Sequence, residues 1–379
     1  MKKLIAFSFL IALLASPAAA QNEPRIVKSE KAGIRVEVIA EGLQNPWGLT
    51  FLPDGRALVT ERPGRLRIIG KDNKLSEPIG GVPEVAAIGQ GGLLDVALSP
   101  DFAKDNLVFL SFAEPRGASG SSTSVARGKL VEKGGKATLE DVKVIFRQEP
   151  ARLGGFHFGS RLVFARDGNL FVTTGERNLK TPSQDLSNHI GKIIRITPDG
   201  GVPKDNPFVN DKNAKPEIWS YGHRNVQGAA LHPQTGKLWL TEHGPRGGDE
   251  INIPLAGKNY GWPVIGYGVD YSGAKMHEGT HKEGMEQPIH HWTPSIAPSG
   301  AMFYTGDLFP AWKGNLFTGS LVFTSLYRIE RDGEKVVKEE PLLESAGDRI
   351  RDVRQAPDGS IWLLTDARNG KVLRLTPAK

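Results

Sequence analysis

The chain contains no cysteine. That absence removes disulfides, thiol nucleophiles, thiolate zinc sites, cysteine-ligated iron–sulfur clusters and thioether-attached haem from the available chemistry. Long apolar runs are missing beyond the first twenty residues, so no later segment is long enough to cross a bilayer as a helix. A strong excess of one charge is missing too. The 48 Lys+Arg and 42 Asp+Glu leave +6, and the basic residues are dispersed along the chain. Nucleic acid is therefore not indicated as a partner. With 39% hydrophobic residues the chain does not read as disordered. It also lacks a G-x-S-x-G nucleophile elbow and a P-loop.

What it has in quantity is glycine and proline, 45 and 26 in 379 residues. Such a density of turn formers favours many short strands over long helices. The start of the chain stands apart. Lys2 and Lys3 precede an apolar run from Leu4 to Leu14, and Ser16-Pro-Ala-Ala-Ala20 supplies a break and a small-residue cleavage site. Met1–Ala20 reads as a bacterial export signal, with Gln21 as the mature N-terminus and the periplasm as destination.

The remainder repeats itself. An apolar pair, a turn of the Pro-Asp-Gly kind and a strand ending in small or polar residues recur six times. The copies are Phe51-Leu-Pro-Asp-Gly-Arg-Ala-Leu-Val-Thr-Glu61, Leu98 to Phe112, Phe164 to Glu176, Leu231 to His243, a looser copy from Asp307 to Ser320, and Ala356 to Asp366. Each predicts a β-hairpin with one buried face. A sheet unit that cannot bury its faces alone closes best into a ring. The expectation is one domain over residues 21–379, an all-β six-bladed propeller of four-stranded antiparallel blades. A sandwich or a pair of barrels fits less well, because no linker divides the repeats. Gly117–Ser124 reads as a flexible loop within a blade, and Val131–Asp141 as an exposed turn and strand.

Propellers carry function in the loops at one face, so polar clusters beside the strands are the candidates. His157 lies in Gly154-Gly-Phe-His-Phe-Gly-Ser160, where bare neighbouring backbone admits a ligand. Ser220-Tyr-Gly-His-Arg-Asn225 offers Arg224 as a planar fork for a carboxylate and Asn225 as donor and acceptor. Glu242-His-Gly-Pro-Arg-Gly-Gly-Asp-Glu-Ile-Asn252, with Asn259-Tyr-Gly-Trp-Pro263, combines carboxylates and exposed carbonyls, the donors a hard cation such as Ca²⁺ needs. Arg349 and Arg351 fall on one face of a strand by its period of two. Taken singly, each cluster reads as an ordinary turn or a solvated ion pair; their placement together at blade ends carries the argument. A literal His277-Glu-Gly-Thr-His281 also occurs, but glycines interrupt the helix that such a zinc motif requires, and it reads as a chance match in a loop.

At these clusters, and at Gly89-Gln90-Gly-Gly-Leu-Leu-Asp-Val96, the sequence resembles the soluble PQQ-dependent sugar dehydrogenases, the glucose/sorbosone dehydrogenase family. The resemblance spans Gly42 to Arg374. It implies the same six-bladed fold and oxidation of the C1 hydroxyl of an aldose to a lactone, with hydride passing to PQQ. It implies His157 as general base; Gln90, Arg224, Asn225, Arg349 and Arg351 around the tricarboxylate cofactor; and the carbonyls of Gly244 and Pro245 on a catalytic Ca²⁺. Glu250 and the carbonyl of Tyr260 match a second, structural Ca²⁺ site, with Asp270 as a further candidate. The sequence departs from that pattern at three places. Phe156 stands where the soluble glucose dehydrogenases carry Asp, Val322 where they carry a cofactor-contacting Lys, and Trp292 sits one position away from their substrate-covering Trp. With no cysteine for a built-in relay, electrons are expected to leave to a separate quinone or cytochrome. A non-catalytic sugar- or peptide-binding propeller and a Ca²⁺-dependent lactonase are the alternatives; the arginine set suits neither well.

Overall fold

The computed structural model describes residues 24–344 and 347–378; the export-signal reading of Met1–Ala20 falls outside them. Six antiparallel sheets form the ring that the repeats predict. The chain begins with β1 (Arg25–Lys28) and β2 (Gly33–Leu43). The first blade follows as β3 (Pro46–Phe51), β4 (Ala57–Glu61) and β5 (Arg65–Ile69). The second is β6 (Leu93–Leu98), β7 (Leu107–Pro115), β8 (Ser121–Lys133) and β9 (Lys136–Arg147), and the third is β10 (Gly159–Phe164), β11 (Leu170–Thr174), β12 (Lys192–Ile196) and β13 (Ile218–Tyr221). The fourth is β14 (Val226–Leu231), β15 (Leu238–Glu242), β16 (Asp249–Asn252) and β17 (His290–Trp292), and the fifth is β18 (Pro298–Phe303), β19 (Leu316–Ser320), β20 (Leu326–Asp332) and β21 (Lys335–Leu342). The sixth holds β22 (Ile350–Gln355), β23 (Ile361–Thr365) and β24 (Gly370–Pro377).

Four blades have four strands, but the first has three and the last has five. The difference is the closure. β2 pairs with β24 from Ile34↔Pro377 to Leu43↔Gly370, and β1 pairs with β2, so the chain start completes the blade made by the chain end. Joining the two ends within one sheet protects edges that would otherwise template association.

The six repeats are the turn after the first strand of each of the six blades together with its second strand. In three copies the turn is the same five-residue loop. Leu52, Ala165 and Ala356 donate to Arg56, Asn169 and Ser360 at 2.7–2.8 Å. The glycine after each Asp has positive φ, which only glycine adopts without cost. Elsewhere the reversal differs: Phe102–Asp105 forms one helical turn, α1, between β6 and β7. Half of the segment read as a flexible loop is strand, and Gly117–Ser119 before it form a single 3-10 turn. Residues 121–124 open β8 and are buried, because small hydroxyl side chains find partners there: Thr123 Oγ1 donates to Phe158 O at 2.7 Å and Ser124 Oγ to Glu114 Oε2 at 2.7 Å.

The innermost strands β3, β6, β10, β14, β18 and β22 touch their neighbours around the axis. Every one carries a register shift at its second to third residue. Such bulges re-aim side chains. The third positions are Gly48, Asp95, Arg161, Gly228, Gly300 and Asp352, and they plug the channel. Arg161 is fully buried and pairs with Asp95 at 3.2 Å and Asp352 at 3.1 Å, while Arg354 reaches both carboxylates at 3.0–3.1 Å. The glycines make room: a Cβ on Gly48 would stand 2.7 Å from Asp95 Oδ1, and one on Gly300 would stand 2.0 Å from Asp352 Oδ1.

Candidate active site

The face at which β10 begins and β11 ends carries the candidate residues. His157 sits just before β10 with φ of +52, a left-handed conformation that costs a non-glycine residue energy and needs support. Support comes from both sides. Its N–H donates to Gln90 Oε1 at 2.8 Å, and Gly159 N–H, two residues on, donates to Asn225 Oδ1 at 3.1 Å. Its carbonyl lies against Gly175, where a Cβ would be 2.0 Å away, so only glycine fits there.

The next residue, Glu176, supplies what the sequence reading missed. Its Oε1 accepts a short hydrogen bond from His157 Nδ1, and its Oε2 accepts from Lys180 N–H at 2.5 Å. A carboxylate on Nδ1 fixes the tautomer and leaves Nε2 with the lone pair. Burial, opposed by the Glu176 bond and reinforced by Arg224 and Arg177, holds His157 below the ordinary histidine value. Glu176 itself stays below the usual carboxylate range: burial pushes it up, but the His157 bond and charge and the Lys180 amide outweigh that. The signal for it was present, since several repeats carry an acid at or just past the end of the second strand: Glu61, Glu176, Glu242 and Asp366.

Beside His157 lies a cavity of ≈ 230 Å³ that brings together Gln90, Asn225, Arg349 and Arg351 of the predicted set. It adds Arg62, Gln227, His243 and Asp366, which the sequence reading did not single out, over a floor that includes Trp47 and Phe158. Trp47 rests on the plug, with the Arg161 guanidinium 4.1 Å from its ring centre. Asp366 is the one carboxylate on the wall, and it accepts from Arg351 at 2.9 Å and Arg349 at 3.4 Å. The Nε atoms of Arg62 and Arg351 are buried without a partner. Buried donors left unpaired are costly, and an acceptor group on a ligand would relieve that cost. Val322 is on the wall too.

Arg224 lines a second, smaller cavity instead, behind His243. Its Nη1 donates to His243 O at 3.2 Å, its guanidinium lies 5.2 Å from the Trp262 ring centre, and its Nε is again buried and unpartnered. Gly244, Pro245, Glu250 and Tyr260 all line this cavity. Among the described residues, none donates a hydrogen bond to the carbonyls of Gly244, Pro245 or Tyr260. Glu250 is pushed up by burial and by the neighbouring Glu242 carboxylate, while Glu242, against the pull of burial, is held down by His223 and the Arg224 amide. No group of three or more His, Asp or Glu suited to a metal occurs among the described residues, so a cation here would rest largely on carbonyls. His243 separates the two cavities. Its Nε2–H donates to Pro298 O at 2.7 Å, and burial with the Arg224 charge lowers it to about 3, so it is neutral at ordinary pH.

Other candidates lie elsewhere. Asp270 is in an exposed loop, 3.7 Å from Lys180, and lines neither cavity. Trp292 is in a blade core, donating to Glu339 at 2.6 Å. Residues 277–281 are not helical, and His277 donates from Nδ1 to Pro263 O at 2.8 Å.

Comparison with known proteins gives the family and the fold. The glucose/sorbosone dehydrogenase family model matches residues 43–374. Aldose sugar dehydrogenase YliI of Escherichia coli (strain K12) is 46% identical over 349 residues, which cover 91% of this chain and 94% of the relative. The apo-form crystal structure of the soluble aldose sugar dehydrogenase from Escherichia coli superimposes with a TM-score of 0.88 at 45% identity, covering 91% of this chain and 100% of that one. The PQQ-bound form of aldose sugar dehydrogenase from Streptomyces coelicolor does so with a TM-score of 0.74 at 30% identity, covering 95% and 100%.

Proposed function

The chain belongs to the glucose/sorbosone dehydrogenase family, and from that premise we propose that it is a PQQ- and Ca²⁺-dependent oxidoreductase converting aldoses to lactones at C1. The observation that carries the reading is the shared construction of base and cavity. The amide oxygens of Gln90 and Asn225 fix the backbone around His157, and the same two residues line a cavity whose unsatisfied donors are guanidinium groups.

PQQ is flat and carries three carboxylates. The Arg62, Arg349 and Arg351 wall over Trp47 and Phe158 suits it in charge and shape, and Arg224 adds a fourth cation from the neighbouring cavity. Bound there, PQQ supplies the acceptor for the hydride that leaves C1. The carbonyls of Gly244 and Pro245 would hold one Ca²⁺, and Glu250 with the Tyr260 carbonyl a second; the first would supply positive charge that favours reduction of the cofactor. His157 Nε2 accepts the proton of the C1 hydroxyl, and Glu176 stabilises the imidazolium as it forms. The proton then leaves to solvent at the mouth of the site.

Export to the periplasm by the Met1–Ala20 segment and transfer of electrons to a separate carrier belong to the same proposal. Purified apoprotein given PQQ and Ca²⁺ is expected to reduce a dye with a panel of aldoses. PQQ binding shown by absorbance without turnover of any sugar ends the reading, and lactone hydrolysis without quinone favours the lactonase. Arg349→Ala removes a half-exposed cation from the wall, with an expected loss of roughly tenfold in PQQ affinity, measured by fluorescence titration.

A further inference from the structure

Lys192 opens β12 with its side chain fully buried. A buried lysine ordinarily has an acid partner. This one donates instead to three main-chain carbonyls: Ile190 O at 2.6 Å, Pro182 O at 2.9 Å and Ser183 O at 3.1 Å. Three acceptors match the three donors of an ammonium. A methionine would fill the same space without the cost of burying a charge, so the role of Lys192 lies in what those carbonyls belong to.

Pro182 and Ser183 are in the 3-10 turn Thr181–Gln184, at the end of the loop that leaves Glu176. That loop is strained. Arg177, Asn178 and Lys180 have φ of +57, +60 and +64, and Lys180 combines its φ with a ψ of −85, close to the rare classic γ-turn. Such backbone persists only where its surroundings over-determine it. At the near end, the Arg177 guanidinium donates to Phe156 O at 3.0 Å and Gly154 O at 2.8 Å, on the approach to His157. At the far end Lys192 holds the turn, and Ser183 O also accepts from Gly222 N–H at 3.0 Å. Between these fastenings is Lys180, whose N–H donates to Glu176 Oε2. Relaxation of Lys180 to ordinary φ would turn that N–H off the carboxylate. The start of β12 also adjoins Glu176 through the sheet. Gly191 N–H donates to Gly175 O at 3.2 Å, and Lys192 N–H donates to Thr174 Oγ1 at 2.9 Å. A Cβ on Gly191 would stand 2.4 Å from Ser183 Oγ, so strand and turn are in contact.

We propose that Lys192 is a positioning residue for the Glu176–His157 pair: its ammonium clamps the turn at 181–184, which keeps the Lys180 N–H on Glu176 and the Glu176 carboxylate on His157 Nδ1. This rests on the dehydrogenase reading only for what His157 does in turnover. The clamp needs the charged form, because a neutral amine brings two N–H groups to three carbonyls. Burial lowers Lys192 to about 7, with the Asp185 charge opposing. The clamp is therefore complete below that pH and loosens above it.

The test uses the mature chain. Hydrogen exchange and the NMR titration of His157 are measured on the apoprotein, and turnover after reconstitution with PQQ and Ca²⁺. In Lys192→Met, exchange at Leu179, Lys180 and Thr181 should quicken about tenfold. The His157 pKa should fall, because the Glu176 bond raises it. The variant's kcat should drop about tenfold, the worth of one good hydrogen bond, with KM and PQQ affinity unchanged. Lys192→Gln, which keeps two donors, should lie between. Wild-type kcat should decline above pH 7, and both variants should lack that decline. Should Lys192→Met fail to fold, Lys192→Gln and the wild-type profile decide. A wild-type kcat that stays level above pH 7, or a His157 titration that neither variant moves, overturns the clamp. The expected exchange and titration changes, with no sugar oxidised by the wild type, would instead overturn the dehydrogenase reading and leave the clamp standing.

Discussion

His157→Ala is expected to lower aldose turnover by about three orders of magnitude while PQQ still binds, since removal of a positioned general base costs roughly 10²- to 10⁴-fold. The cavity wall of Arg62, Arg349 and Arg351 does not depend on the imidazole, so cofactor titration should be close to wild type. Retained turnover would refute the assignment. The pH profile gives a second readout. His157 is the base in its neutral form, and burial holds its pKa below 6.5. Protonation therefore begins only at lower pH, and the acid limb of kcat should lie below 6.5. Glu176→Gln removes the carboxylate that raises the imidazole's proton affinity. Its maximal rate should fall between those of wild type and His157→Ala, with the acid limb displaced still lower. An acid limb that moves upward would show that Glu176 does not act through the imidazole.

The architecture was legible in the sequence because its unit recurs. Alternating apolar residues around an Asp-Gly turn state the first hairpin of a blade with little ambiguity, as at Leu52–Leu58 and Ala165–Leu170. The closure was not legible, since Gly33–Leu43 carries no turn signal and its partner lies more than 300 residues away in sequence. Ser121–Ser124 misled for a related reason. Serine and threonine favour loops when solvated, and only tertiary partners reveal that these hydroxyls are satisfied inside a strand. The site divides in the same way. Arginines and glycine-flanked polar residues stand out locally, so Gln90, Asn225, Arg349 and Arg351 were found and are gathered in one cavity. Glu176 is separated from His157 by a whole hairpin, and a pair made across that distance has no local mark beyond an acid at a strand end.

The channel plug was the least visible feature, and it leads to the largest expected change in stability. Asp95, Arg161 and Asp352 occupy equivalent positions of three blades, each set at a bulge, yet nothing in one sequence shows that the three meet on an axis. Arg161→Met should destabilise the protein by about 3–5 kcal/mol, because removing one partner leaves buried carboxylates uncompensated. Arg354 remains, but it is shared between the same two acids at 3.0–3.1 Å and cannot neutralise both. The deficit is measured by chemical denaturation. Asp95→Asn and Asp352→Asn added to Arg161→Met should recover much of the loss. Each asparagine keeps an oxygen for the amide it serves, Leu162 N–H at 2.9 Å and Leu49 N–H at 3.1 Å, without the charge. A triple variant no more stable than Arg161→Met alone would mean that the arginine acts by packing rather than by charge. Packing has its own readout at the site. Arg161 underlies Trp47 and donates to Gln227 O at 2.6 Å and Arg351 O at 3.3 Å. The triple variant should therefore regain stability before it regains PQQ affinity, because the neutral plug restores the charge balance and not the surface on which the cavity floor rests.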